Sequence, residues 1–212
     1  MHPESRFLAH HFDSLEQQHE AATMGMWLFL ATEILFFGGM FTAYGVYRSF
    51  YPQAFVAASH HLDVTIGTFN TGVLLTSSLT AALAVHAAQA GRRRAVIGFL
   101  VATMLLGATF LGVKGFEYHH KFVESLIPGH GFVFPGPHAR HAELFFSLYF
   151  VMTAFHALHI LIGLGVMAYV IVLTRRGQVT PEHHPSVELT GLYWHFVDII
   201  WVFLFPLLYL IR

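Results

Sequence analysis

Residues 144–173 read LFFSLYFVMTAFHALHILIGLGVMAYVIVL, a stretch with no aspartate, glutamate, lysine or arginine. An α-helix rises 1.5 Å per residue, and a helix that crosses the hydrocarbon core of a bilayer needs about 20 apolar residues. The stretch therefore predicts a transmembrane helix. Because it is longer than the crossing requires, we expect the helix to tilt or to project from the bilayer.

Four other stretches have the same apolar character: residues 24–47, 64–85, 95–116 and 189–211. The sequence thus predicts an all-α fold, a polytopic bundle of five transmembrane helices in one integral-membrane domain covering 1–212. Residues 1–23 form a polar N-terminal segment. Within it, the capping-box spacing of Asp13 and Glu16 predicts a short interfacial helix before the first span. The glycine- and proline-rich connection 118–143 is expected to be a loop without long helices.

Composition narrows the class of protein. Hydrophobic residues make up 55% of the chain and charged residues 11%, whereas soluble domains carry about 25% charged residues. The absence of cysteine excludes disulfides, thiolate metal sites and covalent c-type haem. The formal net charge of −1 does not indicate a nucleic-acid partner. The 17 histidines leave haem or metal ligation, proton exchange and simple polar contacts open.

Orientation follows from the basic residues in short loops, which favour the cytoplasmic side. The cluster Arg92–Arg94 shares one side with Arg6, Arg175 and Arg176 if there are five spans. We therefore predict a cytoplasmic N-terminus and a periplasmic C-terminus in a bacterial inner membrane. The first 20 residues lack the basic start and short apolar core of a secretory signal.

Ionisable side chains inside a membrane are costly, so each is a functional candidate by default. His156 and His159 lie three residues apart in the fourth span, and His195 and Asp198 lie three residues apart in the fifth. This spacing places the two members of each pair on a shared helix face. A buried polar cluster between the first, fourth and fifth spans would either hold the bundle together or, at its glutamate, contact lipid head groups or exchange protons. Lys114 and Glu117, at the end of the third span, are expected to snorkel outward. The candidates are Glu33, His156, His159, His195 and Asp198.

Haem ligation by two helices requires histidines at matching depth. His156 and His159 lie on a single predicted span, and no other span offers a histidine at their depth. No third ligand is evident for a zinc or copper ion either. The sequence therefore assigns no metal site and no catalytic residue to the chain, although a haem b electron-transfer subunit stays as an alternative.

Five motifs in register from about residue 20 to the C-terminus resemble subunit III of the haem–copper oxidases, the cytochrome c oxidase subunit III family. Ala157 replaces the glycine usual in that family's Phe-His-Gly-Leu-His motif. The resemblance is to the short five-span form, since the long form has two further spans that create a lipid-holding cleft. The motifs are Gly25–Phe29 followed by Thr32–Glu33, Asn70–Thr71, Glu117–Tyr118, Phe155–His159 and Trp194–Asp198.

The resemblance implies a redox-silent accessory subunit of a respiratory, proton-pumping terminal oxidase. The haems, the copper and the proton channels would lie in subunit I, with subunit II as a further neighbour and phospholipid as a bound component. The complex would reduce O₂ to water with electrons from cytochrome c or quinol. The alternative within the family is a subunit III-like protein that accompanies nitric oxide reductase.

The loop before the last span carries carboxylates and histidines. Subunit III is expected to support proton uptake by subunit I, and a histidine with a pKa near 6.5 exchanges protons around neutral pH. The loop is thus either a proton-collecting surface or a solvated connector shaped by Pro181 and Pro185. The residues concerned are Glu182, His183, His184 and Glu188.

Overall fold

Six helices make up a computed structural model of the chain, which describes residues 12–129, 131–135, 138–181 and 183–211. Five of the helices are long and apolar enough to cross a membrane, which confirms the prediction of five spans. The short second helix was not predicted. The helices are α1 (Leu15–Phe50), α2 (Pro52–Ser59), α3 (Val64–Gln89), α4 (Arg93–Val123), α5 (Ala139–Arg175) and α6 (Pro185–Tyr209).

The capping of α1 differs from the prediction. Ser14 is the N-cap, and its hydroxyl accepts a hydrogen bond from the backbone N–H of Gln17 at 3.1 Å. The side-chain oxygen of Gln17 accepts in return from the backbone N–H of Asp13 at 2.8 Å. The cap is therefore formed by Ser14 and Gln17, not by Asp13 and Glu16, and its return bond goes to Asp13, the residue before the N-cap. The prediction of a separate interfacial helix before the first span is wrong, because α1 runs without a break for 36 residues.

A compact reversal joins α1 to α3. Proline favours the first turn of a helix, and Pro52 begins α2, whose Phe55 is fully buried against α5. Asp63 then caps α3 by accepting hydrogen bonds from the backbone N–H groups of Thr65 and Ile66, at 2.8 and 3.2 Å. The segment between α1 and α3 therefore contains the short helix α2 and ends in the residue that caps α3.

Helices α4 and α5 extend past the spans predicted for them. At 1.5 Å per residue, α4 and α5 are about 46 and 55 Å long, which exceeds a hydrocarbon core of about 30 Å. Helix α4 ends at Val123 and α5 begins at Ala139. The prediction of a loop over all of 118–143 is therefore wrong at both ends, because its glycines and prolines are confined to residues 128–137.

Helix α6 lies at the centre of the bundle, against α3, α5 and α1, while α3 also packs along α4. Trp194 is fully buried and occupies a slot between two glycines. A Cβ atom at Gly107 or at Gly163 would lie 2.8 Å from the Trp194 ring, so only glycine leaves room for this indole. Helix α1 lies at the edge of the bundle, and it is the least buried of the five spans.

Several polar residues of α3 face protein, as expected for side chains that let membrane helices approach closely, although Thr65 and Thr76 are exposed. The Trp194 indole N–H donates to the Ser77 hydroxyl at 2.9 Å, and the Trp201 indole N–H donates to the Thr71 hydroxyl at 3.0 Å. Asn70 is also buried. The hydrogen bonds from both tryptophans therefore tie α6 to α3.

Candidate functional site

Glu33 on α1 and His159 on α5 form a direct pair. The His159 Nε2 atom lies 3.0 Å from Glu33 Oε2, and its Nδ1 atom lies 2.7 Å from the carbonyl oxygen of Phe155. Because a carbonyl only accepts, Nδ1 must carry a hydrogen. The contact between Nε2 and Glu33 then holds one shared proton, either as a neutral acid and imidazole or as an ion pair.

Aromatic rings enclose this pair. Phe37 packs against the His159 ring at 5.3 Å, and Phe36 packs edge-on against Phe155 at 5.0 Å. The Tyr193 hydroxyl on α6 donates to the His159 carbonyl at 2.9 Å. The Glu33 side chain is 18% exposed, so the pair is shielded but not sealed, and it connects α1 to both α5 and α6.

His195 and Asp198 belong to a second polar group between α6 and α3. The His195 Nδ1 atom lies 2.6 Å from the Ser78 hydroxyl. Asp198 is only 4% exposed. The Ser78 hydroxyl also interacts with the Asp198 carboxylate, but within the described residues no donor meets hydrogen-bond geometry with either carboxylate oxygen. Ser78 therefore lies between the two side chains and is bonded to His195.

His156 stands apart from both groups. Its ring stacks on Trp201 at 5.2 Å and meets the edge of Phe110 at 5.5 Å, and in the part of the chain that is described neither ring nitrogen has a hydrogen-bond partner. Side chains three residues apart on a helix differ in direction by about 60°, enough for the two rings to reach different neighbours. His156 therefore points into the bundle while His159 reaches α1. The five candidates form three separate groups, not one cluster.

A fourth buried polar group was missed by the sequence analysis. The Lys114 ammonium donates to Glu117 at 3.1 Å, to the Tyr149 hydroxyl at 3.0 Å and to the Tyr209 hydroxyl at 2.6 Å. Both phenols donate in turn to Glu117 Oε1, at 2.8 Å from Tyr149 and 2.6 Å from Tyr209. The ammonium also lies 5.1 Å from the centre of the Trp201 ring.

The expectation that Lys114 and Glu117 snorkel outward is therefore wrong, since each is 3% exposed. Burial is tolerated because the two charges pair and because phenols satisfy their remaining hydrogen-bonding capacity. The three-residue spacing of Lys114 and Glu117 on one helix face was a usable signal. A second signal was the placement of the two tyrosines. Tyr149 near the start of the fourth span and Tyr209 near the end of the fifth lie on the same side of the membrane as Lys114, near the end of the third.

The loop before α6 lies beside the start of α1. The His184 Nε2 atom lies 3.1 Å from Glu188 Oε1, which also accepts from the Gln89 amide at 3.4 Å. Burial, followed by the neighbouring His184 and His19, lowers the pKa of His183. A cavity of about 380 Å³ brings Glu16 and His19 of α1 to this loop, and the sequence analysis had not included these two residues. Glu182 lies outside the described residues.

The described ranges, 12–129, 131–135, 138–181 and 183–211, contain many side chains of the kinds that bind metal ions. No group of three or more histidine, cysteine, aspartate or glutamate side chains there is arranged to hold a metal ion. His159 already engages both ring nitrogens, and His195 engages Nδ1.

The chain was also compared with known proteins. The family model for cytochrome c oxidase subunit III matches residues 1–211. The chain is 34% identical to cytochrome c oxidase subunit 3 of Corynebacterium diphtheriae, over 90% of this chain and 88% of the relative. It is 32% identical to cytochrome c oxidase subunit 3 of Thermostichus vulcanus, over 98% and 96%. It is 29% identical to quinol oxidase subunit 3 of Bacillus subtilis, over 92% and 91%.

Proposed function

We propose that this chain, which belongs to the cytochrome c oxidase subunit III family, is the accessory subunit of a haem–copper terminal oxidase. The observation that carries the proposal is the match to named oxidase subunits over nearly the full length of both sequences. The five apolar spans agree with an integral membrane component of a larger oxidase complex. The complex reduces O₂ to water, and this chain contributes no redox centre to the reaction.

The partners are subunit I, which carries the haems and the copper, and subunit II. The chain lies in a bacterial inner membrane with its N-terminus in the cytoplasm, in line with the basic cluster Arg92–Arg94. Two features argue against the haem b alternative. Both ring nitrogens of His159 are hydrogen-bonded, and His156 lies between Trp201 and Phe110. The oxidase names of the relatives favour an oxidase over a nitric oxide reductase.

Within the complex, the buried polar groups hold the chain in the shape that subunit I requires. The Glu33–His159 pair fastens the loosely packed α1 to α5, and His195 fastens α6 to α3 through Ser78. The Glu33 carboxyl, partly exposed and sharing a proton with an imidazole, is also suited to exchanging a proton or touching a lipid head group. Phospholipid bound at Glu33 belongs to the same proposal.

The loop before α6 collects protons for subunit I. The sequence predicts Glu182, His183, His184 and Glu188 for this role, and the cavity that the last three share with Glu16 and His19 enlarges the group. Carboxylates and imidazoles within hydrogen-bonding distance are suited to passing protons between them, and His184 lies 3.1 Å from Glu188. The lowered pKa of His183 means that this imidazole releases a bound proton readily at neutral pH.

Removal of the chain tests the proposed function. We expect membranes lacking the chain to consume O₂ more slowly, and their haem–copper subunits to survive detergent extraction less well, with both properties restored when the chain is supplied again. Loss of nitric oxide consumption with unchanged O₂ consumption would instead assign the chain to nitric oxide reductase. Unchanged rates of both reactions would contradict an accessory role.

A further inference from the structure

The carboxyl group of Asp198 on α6 is buried without a hydrogen-bond donor. The residue is 4% exposed, and within the described residues no donor meets hydrogen-bond geometry with either carboxyl oxygen. An ionised carboxylate in such a place would lose its hydration without compensation, which carries a large free-energy cost. Asp198 is therefore held as a neutral acid that carries a proton.

The Ser78 hydroxyl on α3 fits this neutral form. It lies 2.6 Å from His195 Nδ1 and also interacts with the Asp198 carboxyl group. A hydroxyl has one hydrogen to donate and two lone pairs that accept. When its hydrogen is donated to His195, the Ser78 oxygen can still accept from the protonated Asp198. A single hydroxyl thus connects the acid to the imidazole.

The imidazole of His195 also lines a slot of about 460 Å³ between α1, α3 and α6. In the described part of the chain, the only side-chain hydrogen bond of His195 is the one through Nδ1, which leaves Nε2 free to bind a proton. The slot has room for several water molecules, since each occupies about 30 Å³. Polar partners for water on its walls are Thr23, His19 and Glu188. A proton can therefore reach Nε2 through the slot.

The slot leads to the end of the bundle where α6 begins. There it adjoins a second cavity of about 380 Å³, and His19 and Glu188 line both. The second cavity is also lined by Glu16 and His184. Glu188 and Asp198 are ten residues apart on α6, which corresponds to about 15 Å at 1.5 Å per residue. Titratable side chains therefore extend from this end of the bundle to the buried acid.

We propose that Asp198 is a proton-binding site that exchanges its proton with water at this end of the bundle, through Ser78, His195 and the slot. To load the site, a proton adds to Nε2 of His195, and the ring gives its Nδ1 hydrogen to the Ser78 oxygen. Ser78 passes its own hydrogen to the Asp198 carboxylate. His195 is then neutral with its hydrogen on Nε2, the Ser78 hydroxyl is restored, and Asp198 is protonated. The reverse order returns the proton to the slot, so no other reactant is needed.

This site is distinct from the Glu33–His159 pair, which lies between α1 and α5. It goes beyond the proton-collecting loop, because it places a proton-binding carboxyl group inside the bundle. The proposal rests on the contacts between α3 and α6 and on the slot. It therefore does not depend on the effect of the loop on O₂ consumption, or on which enzyme complex contains the chain.

The first test is infrared spectroscopy of the purified complex. We expect wild type to show a C=O stretching band of a protonated carboxyl group that is missing in Asp198→Asn. This band should shift when H₂O is replaced by D₂O, because the bound proton exchanges. Glu33→Gln should keep the band. Equal spectra of wild type and Asp198→Asn in this region would mean that the Asp198 carboxyl group is ionised, and would overturn the proposal.

The relay is tested by the rate at which this band exchanges hydrogen for deuterium. Ser78→Ala should slow the exchange about 100-fold, the lower end of what a positioned acid–base group contributes to proton transfer. Ser78→Thr keeps the hydroxyl and should exchange like wild type. Thr76→Ala is the matched control, since Thr76 is exposed on the same helix and its hydroxyl donates to the Gly72 carbonyl. Equal rates in Ser78→Ala and Thr76→Ala would overturn the relay.

The slot is tested by filling it. Ala82→Phe should slow the exchange, because Ala82 lines the slot, whereas Ala154→Phe in an exposed groove on α5 should keep the wild-type rate. Exchange at the wild-type rate in Ala82→Phe would contradict the proposed route. If Asp198→Asn does not assemble, Ser78→Ala and Ala82→Phe still decide, since each must slow the exchange of one protonated carboxyl band.

Discussion

At the scale of single residues, His156 and His159 illustrate how much depends on three positions of one helix. His159 reaches Glu33 on α1, whereas His156 is stacked on Trp201 in the interior. His159 shares a proton with Glu33 between two helices, and His156 packs among aromatic rings. Similar residues in the same motif thus have different physical roles.

We expect Glu33→Ala to loosen α1, because it removes the hydrogen bond that joins this helix to α5. Hydrogen bonds between membrane helices contribute about 0.6 kcal/mol on average, so the loss of thermal stability should be modest. Glu33→Gln should recover most of it, since an amide N–H can donate to His159 Nε2. Thermal unfolding of the purified complex measures the effect. Equal stability of both variants and wild type would contradict the structural role of the pair.

A much larger effect is expected for Lys114→Met. This change leaves the Glu117 carboxylate buried without its cation, and breaking a buried ion pair costs about 3–5 kcal/mol. The double variant Lys114→Met, Glu117→Gln removes both charges and should regain much of the loss. Yields of assembled complex and thermal unfolding provide the measurement. If the double variant were as unstable as the single one, the ion pair would not be the cause.

At the scale of helices, the five spans could be predicted because long apolar runs are decisive in a membrane. Their ends could not be predicted in the same way. Helix α4 continues through His119 and His120 to Val123, where no lipid requires apolar side chains. Helix α2 was missed because eight residues beginning with Pro52 resemble an ordinary turn.

The five candidate residues could be chosen from the sequence, but which of them contact one another could not be predicted. Glu33 and His159 could be chosen as costly intramembrane groups, but their partnership depends on how α1 and α5 are rotated about their axes. Hydrophobic periodicity does not specify that rotation when nearly the whole circumference of a helix is apolar. The same ambiguity concealed the buried pairing of Lys114 with Tyr149 and Tyr209.

The loop before α6 gives a prediction at this scale. Replacement of its acidic and histidine side chains by glutamine and asparagine should leave assembly intact and slow O₂ consumption, most strongly at high pH where free protons are scarce. Oxygen consumption from pH 6 to 9 is the measurement. A matched control with the same kinds of substitution at the opposite end of the bundle should follow wild type. The test residues are Glu182, His183, His184 and Glu188, and the control residues are His60, His119 and His120.

If the loop variant follows the wild-type profile from pH 6 to 9, the proton-collecting role is wrong and the loop is a connector. A uniform loss at every pH with a lower yield of complex would indicate a structural role. The lowered pKa of His183 determines the pH range in which this residue can contribute. Its imidazole binds a proton only as the pH falls below the ordinary histidine pKa of about 6.5. His183 itself should therefore contribute at the acidic end of the range, and the loss expected at high pH should come from the other three residues of the loop.

At the scale of the whole molecule, the bundle has a firm centre and a loosely held edge. Helix α6 is buried among its neighbours, with Trp194 and Trp201 fully enclosed. Helix α1 is attached through the Glu33–His159 contact and through aromatic contacts with α6. This arrangement is compatible with the accessory role that we propose for the chain in a larger oxidase complex.

The most direct measurement is to purify the affinity-tagged chain from its own membranes in mild detergent and to record haem spectra and O₂ consumption of what accompanies it. The account predicts that an O₂-reducing haem–copper enzyme is co-purified, and that the chain produced without its partners has no Soret band. A Soret band in the isolated chain, abolished by His156→Ala or His159→Ala, would contradict the redox-silent role. Co-purification of an enzyme that reduces nitric oxide and not O₂ would contradict its assignment to a terminal oxidase.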